Sequence, residues 1–487
     1  MSDAHNNTSI KSRKRRLMNL LMSVLSNEMD HAILNIVETP HYVLKVFLTF
    51  FLLIATGLAA YTTILLVMNY LDFGVITTLR KVRDTPAQFP QITICNINPF
   101  TTQYAYTSFK TYFNSISYNG TDYNSRSYAG ILTQNILLAS ETQTGLSHSW
   151  QDILLSCRFN YLTCTADDFV WYFDEAYGNC VKFNSGFNSS TNEAVALKRS
   201  FLAGSNYGLQ LELYVNYYEN LTEFNSINGG LGVIIRVDNA PNVVDYSYDG
   251  ILVNAGRATF VSLSKTNKFA LSRPYSNCDL DNDKYTDYDS TLFRRIVNSN
   301  YSYSQQFCVS QCLQEIGILN CNCTASYIAS VFSAKRCVTQ NETVCFINVF
   351  FEIFNSKNYV QEKCIPQCPL ECNSTKFNYS LSDYQLLGNY YVNMIKENTR
   401  LASDFVTRMI NVTTVQESVV KVNVFYASLS YMKSEESPQW DWISLVAYLG
   451  GNFGLFLGFS LFSLSEYMQM IFEYYYFRKK SALEENK

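Results

Sequence analysis

Two stretches constrain what this chain can fold into: Val46 to Met68, 23 residues without a charge, and Trp442 to Ser465, 24 residues without one. As helices rising 1.5 Å per residue, each is long enough to cross a hydrocarbon layer of roughly 30 Å. The first does not read as a secretory signal, because about forty residues precede it; it is also long for one, and no small-residue cleavage site follows. Lys11, Arg13, Lys14, Arg15 and Arg16 stand ahead of the first stretch, and Arg478, Lys479 and Lys480 behind the second. Basic flanks stay on the cytosolic side. The sequence therefore predicts a plasma-membrane protein in contact with lipid: a cytosolic tail 1-41, a transmembrane helix 42-70, an extracellular domain 71-441, a second transmembrane helix 442-470 and a cytosolic tail 471-487.

Cysteines and glycan acceptors bear on that topology independently. All fourteen cysteines lie from Cys95 to Cys372, inside the predicted outer segment. An even number confined to one segment fits an oxidised extracellular domain with up to seven disulfides. A metal site is the competing reading, but no CxxC pair occurs and the only histidines are His5, His31, His41 and His148. Acceptor sequons stand at Asn119, Asn188, Asn220, Asn300, Asn341, Asn373, Asn378 and Asn411, all on the predicted outer side. Asn322 also matches but lies between Cys321 and Cys323; Asn6 and Asn7 match on the cytosolic tail, where they would be silent.

The outer segment reads as one body without linkers or repeats. β-branched and aromatic runs at "QITICNI" (91–97), "GLQLELYVNYY" (208–218), "GVIIRV" (232–237) and "ATFVSLS" (258–264) predict a sheet. From Cys278 to Cys372 there are ten cysteines, and "FCVSQCLQEIGILNCNC" (307–323) reads as a helix with Cys308 and Cys312 one turn apart on one face. "VVKVNVFYASL" (419–429) alternates as a strand leading straight into the second span. Paired above the membrane, "QITICNI" and "VVKVNVF" would pull on both spans together.

Gly450, Gly451, Gly454 and Gly458 fall along one side of the second span. Small residues so placed allow close helix packing, which is the bland reading. Glu466 is the counterweight: an ionisable group in a span is costly and faces a water path or a partner charge. With Gly458-Phe459-Ser460 ahead of it, a helix break would turn backbone carbonyls toward an ion. One two-span chain cannot enclose a pore, so several copies must surround it in closed symmetry.

At these residues the sequence resembles the epithelial sodium channel/degenerin family, which includes acid-sensing and peptide-gated sodium channels. The resemblance runs in order through "FPQITICN" (89–96), "GNCVKFN" (178–184), "RPYSNC" (273–278), the cysteine block and "GGNFGLFLGFSLFSLSE" (450–466), over nearly the whole chain. It implies a trimeric α+β membrane protein with two transmembrane helices and a large disulfide-rich extracellular domain: β-sheet palm and ball, finger, knuckle and helical thumb. The pairings it implies are Cys95–Cys180, Cys157–Cys164, Cys278–Cys372, Cys308–Cys368, Cys312–Cys364, Cys321–Cys345 and Cys323–Cys337, with the assignments to Cys364, Cys368 and Cys372 open to permutation.

By the same resemblance Gly458, Phe459 and Ser460 match the selectivity filter. Phe459 is larger than the family's middle residue, a departure that bears on discrimination among sodium, potassium and calcium. Ala447 falls where a small residue permits closure, Tyr448 replaces an acidic residue of the outer mouth, and Glu466 matches the acidic residue below the filter. His31-Ala32 aligns with a His-Gly gating motif, while Gly74 and Val75 stand where acid-sensing members carry histidines. The implied activity is a sodium-permeable, amiloride-sensitive channel subunit, homotrimeric or with sister subunits, with no cofactor beyond the permeant sodium ion. The short length and compact cysteine set resemble the peptide-gated members, so an extracellular neuropeptide ranks first as trigger; protons and mechanical or constitutive opening are the alternatives.

Other classes fit less well. A two-span scavenger-type receptor would share the glycosylated outer domain but has no use for the glycine row or Glu466. An ATP-gated trimeric channel would show basic clusters for phosphate. The chain is not expected to be an enzyme or to bind nucleic acid, since it has no Gly-x-Ser-x-Gly, His-Glu-x-x-His or phosphate loop.

Overall fold

The computed structural model describes residues 39–98, 101–115, 117, 143–174, 177–188, 193–215, 230–239, 250–279, 290–299, 301–325, 330–337, 339–356, 358–386, 388–397 and 412–458, with single positions at 36, 460, 465, 468–469, 471–472 and 475–476. It divides into two units, one of residues 1–76 with 437–487, the other of residues 77–436. The longer elements are, in chain order, α1 (Tyr42–Leu71), β1 (Val75–Arg83), β2 (Gln91–Asn96), β3 (Leu154–Phe159), β4 (Phe169–Asp174), β5 (Gly178–Phe183), β6 (Leu209–Tyr214), β7 (Gly232–Asp238), β8 (Ile251–Asn254), β9 (Arg257–Phe269), α2 (Gln305–Cys321), α3 (Gln340–Asn355), β10 (Asn373–Gln385), β11 (Val419–Tyr426), β12 (Ser430–Pro438) and α4 (Trp442–Leu457).

The first unit is built on α1 and α4, which lie against one another. The buried positions of α1 are Ala55, Ala59 and Leu66, which a 3.6-residue repeat brings onto one side, so small side chains form much of that face. Most other large side chains of α1 are exposed, among them Phe47, Phe50, Phe51, Leu53 and Met68. Among the described residues α1 is the one helix long and apolar enough to cross a membrane; α4 is also apolar and has 16 residues.

The larger unit contains two main sheets over one core. The first runs β1-β12-β9-β11-β6-β3, with β10 on the other edge of β9; the second runs β8-β7-β2-β5-β4. β9 and β11 are parallel in register Val261↔Val424, while β6 lies antiparallel to β11 with Leu211 opposite Val422. Alternation then sends Val420, Val422, Val424, Leu209, Leu211, Leu213, Val261 and Leu263 to the same core that Ile92, Ile94, Val181, Phe183, Val233 and Ile235 reach from the second sheet.

The quoted motifs lie in and around that core. Phe89 is fully buried, 4.9 Å from the ring of Phe159 and 5.9 Å from that of Tyr426, whose hydroxyl donates to the Gln88 carbonyl at 2.6 Å. Asn184, at the end of "GNCVKFN", is buried with a left-handed backbone (φ 60°). Its amide donates to the Phe89 carbonyl at 2.7 Å and its Oδ1 accepts the Lys198 N–H at 2.7 Å. Asparagine tolerates that backbone region better than other residues with a Cβ, and here its side chain stitches two segments together.

The expected pairing of "QITICNI" with "VVKVNVF" does not occur. β2 lies between β7 and β5 in the second sheet, whereas β11 lies between β6 and β9 in the first. Both strands are covered on both faces along most of their length, as central strands are, even though one face of each carries polar residues: Gln91 and Thr93 on β2, Lys421 and Asn423 on β11. Nor does β11 lead straight into the second helix, because β12 intervenes. The strands that follow α1 and precede α4 in the chain are β1 and β12, neighbours in the first sheet.

The cysteine-rich region is helical, and all fourteen cysteines are bonded: Cys95–Cys180, Cys157–Cys164, Cys278–Cys372, Cys308–Cys368, Cys312–Cys364, Cys321–Cys345 and Cys323–Cys337. Cys308 and Cys312 leave α2 on one face, while Cys321–Cys345 bonds α2 to α3. Close contact of α2 and α3 is possible because residue 317 is glycine: a Cβ there would overlap the ring of Phe346. Gly317→Val should cost about 1–3 kcal/mol through overpacking. Thermal unfolding of the purified chain checks this, and an unchanged midpoint would mean that Phe346 has room to move.

Candidate functional site

The residues singled out in the second apolar run fall on α4 and just beyond it. α4 begins at an N-cap aspartate: Asp441 accepts the Ser444 N–H at 2.8 Å, and hydrogen bonds from Ser444 hold its carboxyl below the usual carboxylate range. Capping satisfies one of the first-turn amides that a helix leaves unpaired. Trp440 sets its ring edge against Tyr448, centroids 5.1 Å apart. Ala447, Tyr448, Gly450, Gly451 and Gly454 are exposed.

A Cβ built on Gly450 or Gly451 would meet nothing within 4 Å. These glycines are therefore not small to admit α1, the only helix of this chain on which α4 rests among the described residues. The bland reading, close packing of the chain's own two helices, accounts for Ala55 and Ala59 but not for Gly450 and Gly451.

The helix stops at Leu457. Gly458 adopts a left-handed conformation (φ 67°, ψ 17°), and its N–H closes the last turn on the Gly454 carbonyl at 3.1 Å. Only glycine takes that conformation without steric cost. A helix C-terminus presents unpaired carbonyls and the negative end of the helix dipole, so the arrangement can attract a cation there. Gly458 and Ser460 are among the described residues; Phe459, Glu466, His31 and Ala32 lie outside them. Of the acceptor sequons, Asn341, Asn373 and Asn378 are exposed and Asn188 is half-buried, whereas Asn119, Asn220, Asn300 and Asn411 lie outside the described residues.

Sequence reasoning missed two features. One is the junction beside the helices within the first unit: Gln439 N–H donates to the Gly74 carbonyl at 2.8 Å and Ser437 Oγ to the Ile76 carbonyl at 3.4 Å. The signal available was charge, since β1 carries Arg80, Lys81 and Arg83 where β12 carries Glu435 and Glu436, and opposite charges favour adjacent strands.

The other is a buried charged group on the second sheet. Arg236 and Asp174 are 6% and 0% exposed, with Arg236 Nη1 4.0 Å from Asp174 Oδ2, and the guanidinium carbon lies 5.6 Å from the centre of the Tyr177 ring. Asp174 Oδ1 accepts the Tyr177 N–H at 3.1 Å. Beside them, burial pushes the Asp238 carboxyl up, opposed by Arg236 and Lys182, and burial pulls the Lys182 ammonium down, opposed by Asp238.

A family model described as "Amiloride-sensitive sodium channel" matches residues 26–470. The chain belongs to the amiloride-sensitive sodium channel family. Its relatives include epithelial sodium channel subunit gamma of Xenopus laevis, 24% identical over 349 residues, covering 71% of this chain and 49% of the relative. The gamma subunit of Homo sapiens is 26% identical over 351 residues, covering 71% and 50%, and the beta subunit of Mus musculus 24% over 337, covering 68% and 49%. The chain spans about half the length of the curated relatives it matches. Among solved structures, a proton-activated chloride channel is matched over 88% of this chain and 99% of that one, with 7% identity and a TM-score of 0.30, too distant to assign a shared fold.

Proposed function

We propose that this member of the amiloride-sensitive sodium channel family is a subunit of a trimeric, sodium-permeable cation channel, homomeric or mixed with sister subunits, in the plasma membrane. The observation that carries the proposal is the end of α4: an apolar helix with exposed Gly450 and Gly451, broken at a left-handed Gly458. Three copies of that helix around one axis would use the glycines for close approach and turn the carbonyls beyond Leu457 toward the path, with Gly458, Phe459 and Ser460 as filter and Glu466 below it. In this reading α1 and α4 belong to two membrane spans with cytosolic tails, residues 71-441 are extracellular and glycosylated, Ala447 and Tyr448 line the outer mouth, and His31-Ala32 acts in gating.

The proposed trigger is an extracellular neuropeptide. It is supported by the compact cysteine set and by His148 being the only histidine between the two apolar runs, which leaves little imidazole for acid sensing. Voltage clamp of cells expressing the chain, with amidated peptides applied at constant pH, tests it: a reversible inward sodium current is expected, and silence to peptides with a current on acid steps would replace the trigger.

Opening by acid is the second reading, favoured by one observation, the Asp238 carboxyl pushed up by burial. A raised carboxylate binds its proton more tightly folded than unfolded, so its contribution to stability is present at low pH and is lost as pH rises from the ordinary carboxylate range through its raised value. Asp238→Asn should flatten the pH dependence of unfolding in that window, measured by thermal melts across an acidic pH series. An unaltered profile would remove Asp238 as a proton-binding group.

A further inference from the structure

Between β9 and the Cys278–Cys372 disulfide runs a short segment, Ala270 to Ser276, that no expected role absorbs. Ala270 N–H donates to the Cys372 carbonyl at 2.8 Å, and the Leu271 carbonyl accepts Ser276 Oγ at 2.6 Å, with Cys278 Sγ 3.3 Å away. The segment is thus fastened to the disulfide that begins and ends the cysteine-rich block. The Leu271 N–H is taken by a side chain 165 residues away: Glu436 Oε2, at 3.1 Å. The Glu436 carboxylate is 13% exposed, and its other oxygen is 3.9 Å from Lys268 Nζ.

Glu436 stands near the end of β12, where parallel pairing with β9 runs from Thr266↔Met432 to Phe269↔Glu435. Leu271 and Glu436 therefore lie just past the last paired residues of two adjacent strands, and the side-chain bond continues the attachment where the ladder has ended. A backbone N–H to a mostly buried carboxylate is a charge-assisted bond, stronger than a neutral one. Further along the chain Glu436 is followed within five residues by Asp441, the cap of α4.

We propose that Glu436 is a latch: its carboxylate fastens the base of the disulfide-bonded helical module to the strand that continues into α4, so that loosening the module is felt in β12. This goes beyond the channel reading and holds whatever opens the chain. Glu436 is a positioning residue here; it acts through Leu271 and touches no permeant ion.

Hydrogen exchange with mass spectrometry on the purified full chain tests the latch without any current. Glu436→Ala should speed exchange of the Leu271 amide by roughly tenfold or more, the fold-change for loss of a charge-assisted bond, and should also speed exchange across 430–438. Glu436→Gln, whose amide oxygen still accepts but without the charge, should exchange at a rate between those of the native chain and Glu436→Ala. Coupling is read by combining variants. Cys278→Ser with Cys372→Ser should speed exchange across 430–438 when Glu436 is present and add nothing there when residue 436 is alanine. If the cysteine variant does not fold, Ser276→Ala loosens the same segment and takes its place in the comparison. Unchanged exchange at Leu271 in Glu436→Ala, or an equal rise across 430–438 with and without the carboxylate, would overturn the proposal.

Discussion

Replacing Cys312 and Cys364 together by serine should lower the stability of the cysteine-rich region by about 4 kcal/mol. The bond closes a loop of 52 residues, and a loop of that size costs the unfolded chain roughly that much closure entropy. Both cysteines lie in the cluster that holds α2, with Leu292, Phe293, Ile296, Tyr303 and Phe307 around them. The serine pair would also leave hydroxyls in an apolar setting, adding to the loss. Thermal unfolding of the purified chain checks the size, and the amount of chain at the cell surface should fall several-fold. A midpoint within a degree or two of the native value would mean that the neighbouring Cys308–Cys368 bond already supplies the restraint.

Asp174→Asn should cost about 3 kcal/mol, a large effect for so small a chemical change. The substitution keeps the Oδ1 that accepts the Tyr177 N–H, and it keeps the volume. It removes the charge facing Arg236, which is 6% exposed. A buried guanidinium left short of counter-charge is destabilising, whereas removing both members of a buried pair is often close to neutral. Arg236→Met should therefore restore most of the stability lost in Asp174→Asn. Denaturant unfolding of the two single variants and the double variant measures this as a cycle. Additive losses would show that Asp238, not Asp174, is the counter-charge for Arg236.

These two effects also mark what could be read from the chain and what could not. The helix over 42–71 was legible because apolar composition alone specifies it, and the strands at Gln91, Leu209, Gly232 and Arg257 because β-branched runs specify them locally. Which strand lies beside which was not. β2 and β11 carry similar patterns, and their neighbours depend on what covers both faces, a non-local matter. β1 and β12 were overlooked because strands with so many polar residues carry no apolar alternation.

The charges on the second sheet were hidden for a related reason. Arg236 and Asp238 alternate with Val237 and Ile235, which is how a solvated strand face looks. In the structure Arg236 is buried and Asp238 half-buried. Cysteine pairing could not come from spacing, since fourteen cysteines allow far too many connectivities; the pairings proposed from sequence rested on resemblance. At the candidate site, the glycines were visible as letters. That Gly458 turns left-handed and ends α4 while Gly450 and Gly451 stay within the helix is a property of the folded backbone.

The claim that this chain lines a cation path is tested most directly by two-electrode voltage clamp on cells expressing it with Ala447 replaced by phenylalanine, alone and with sister subunits, beside the unmodified chain. Bulk at that position should hold the path open. We expect a standing inward current that disappears when a large organic cation replaces external sodium and that falls on adding amiloride. No sodium-carried current in either setting, with the variant shown at the cell surface, would contradict the claim.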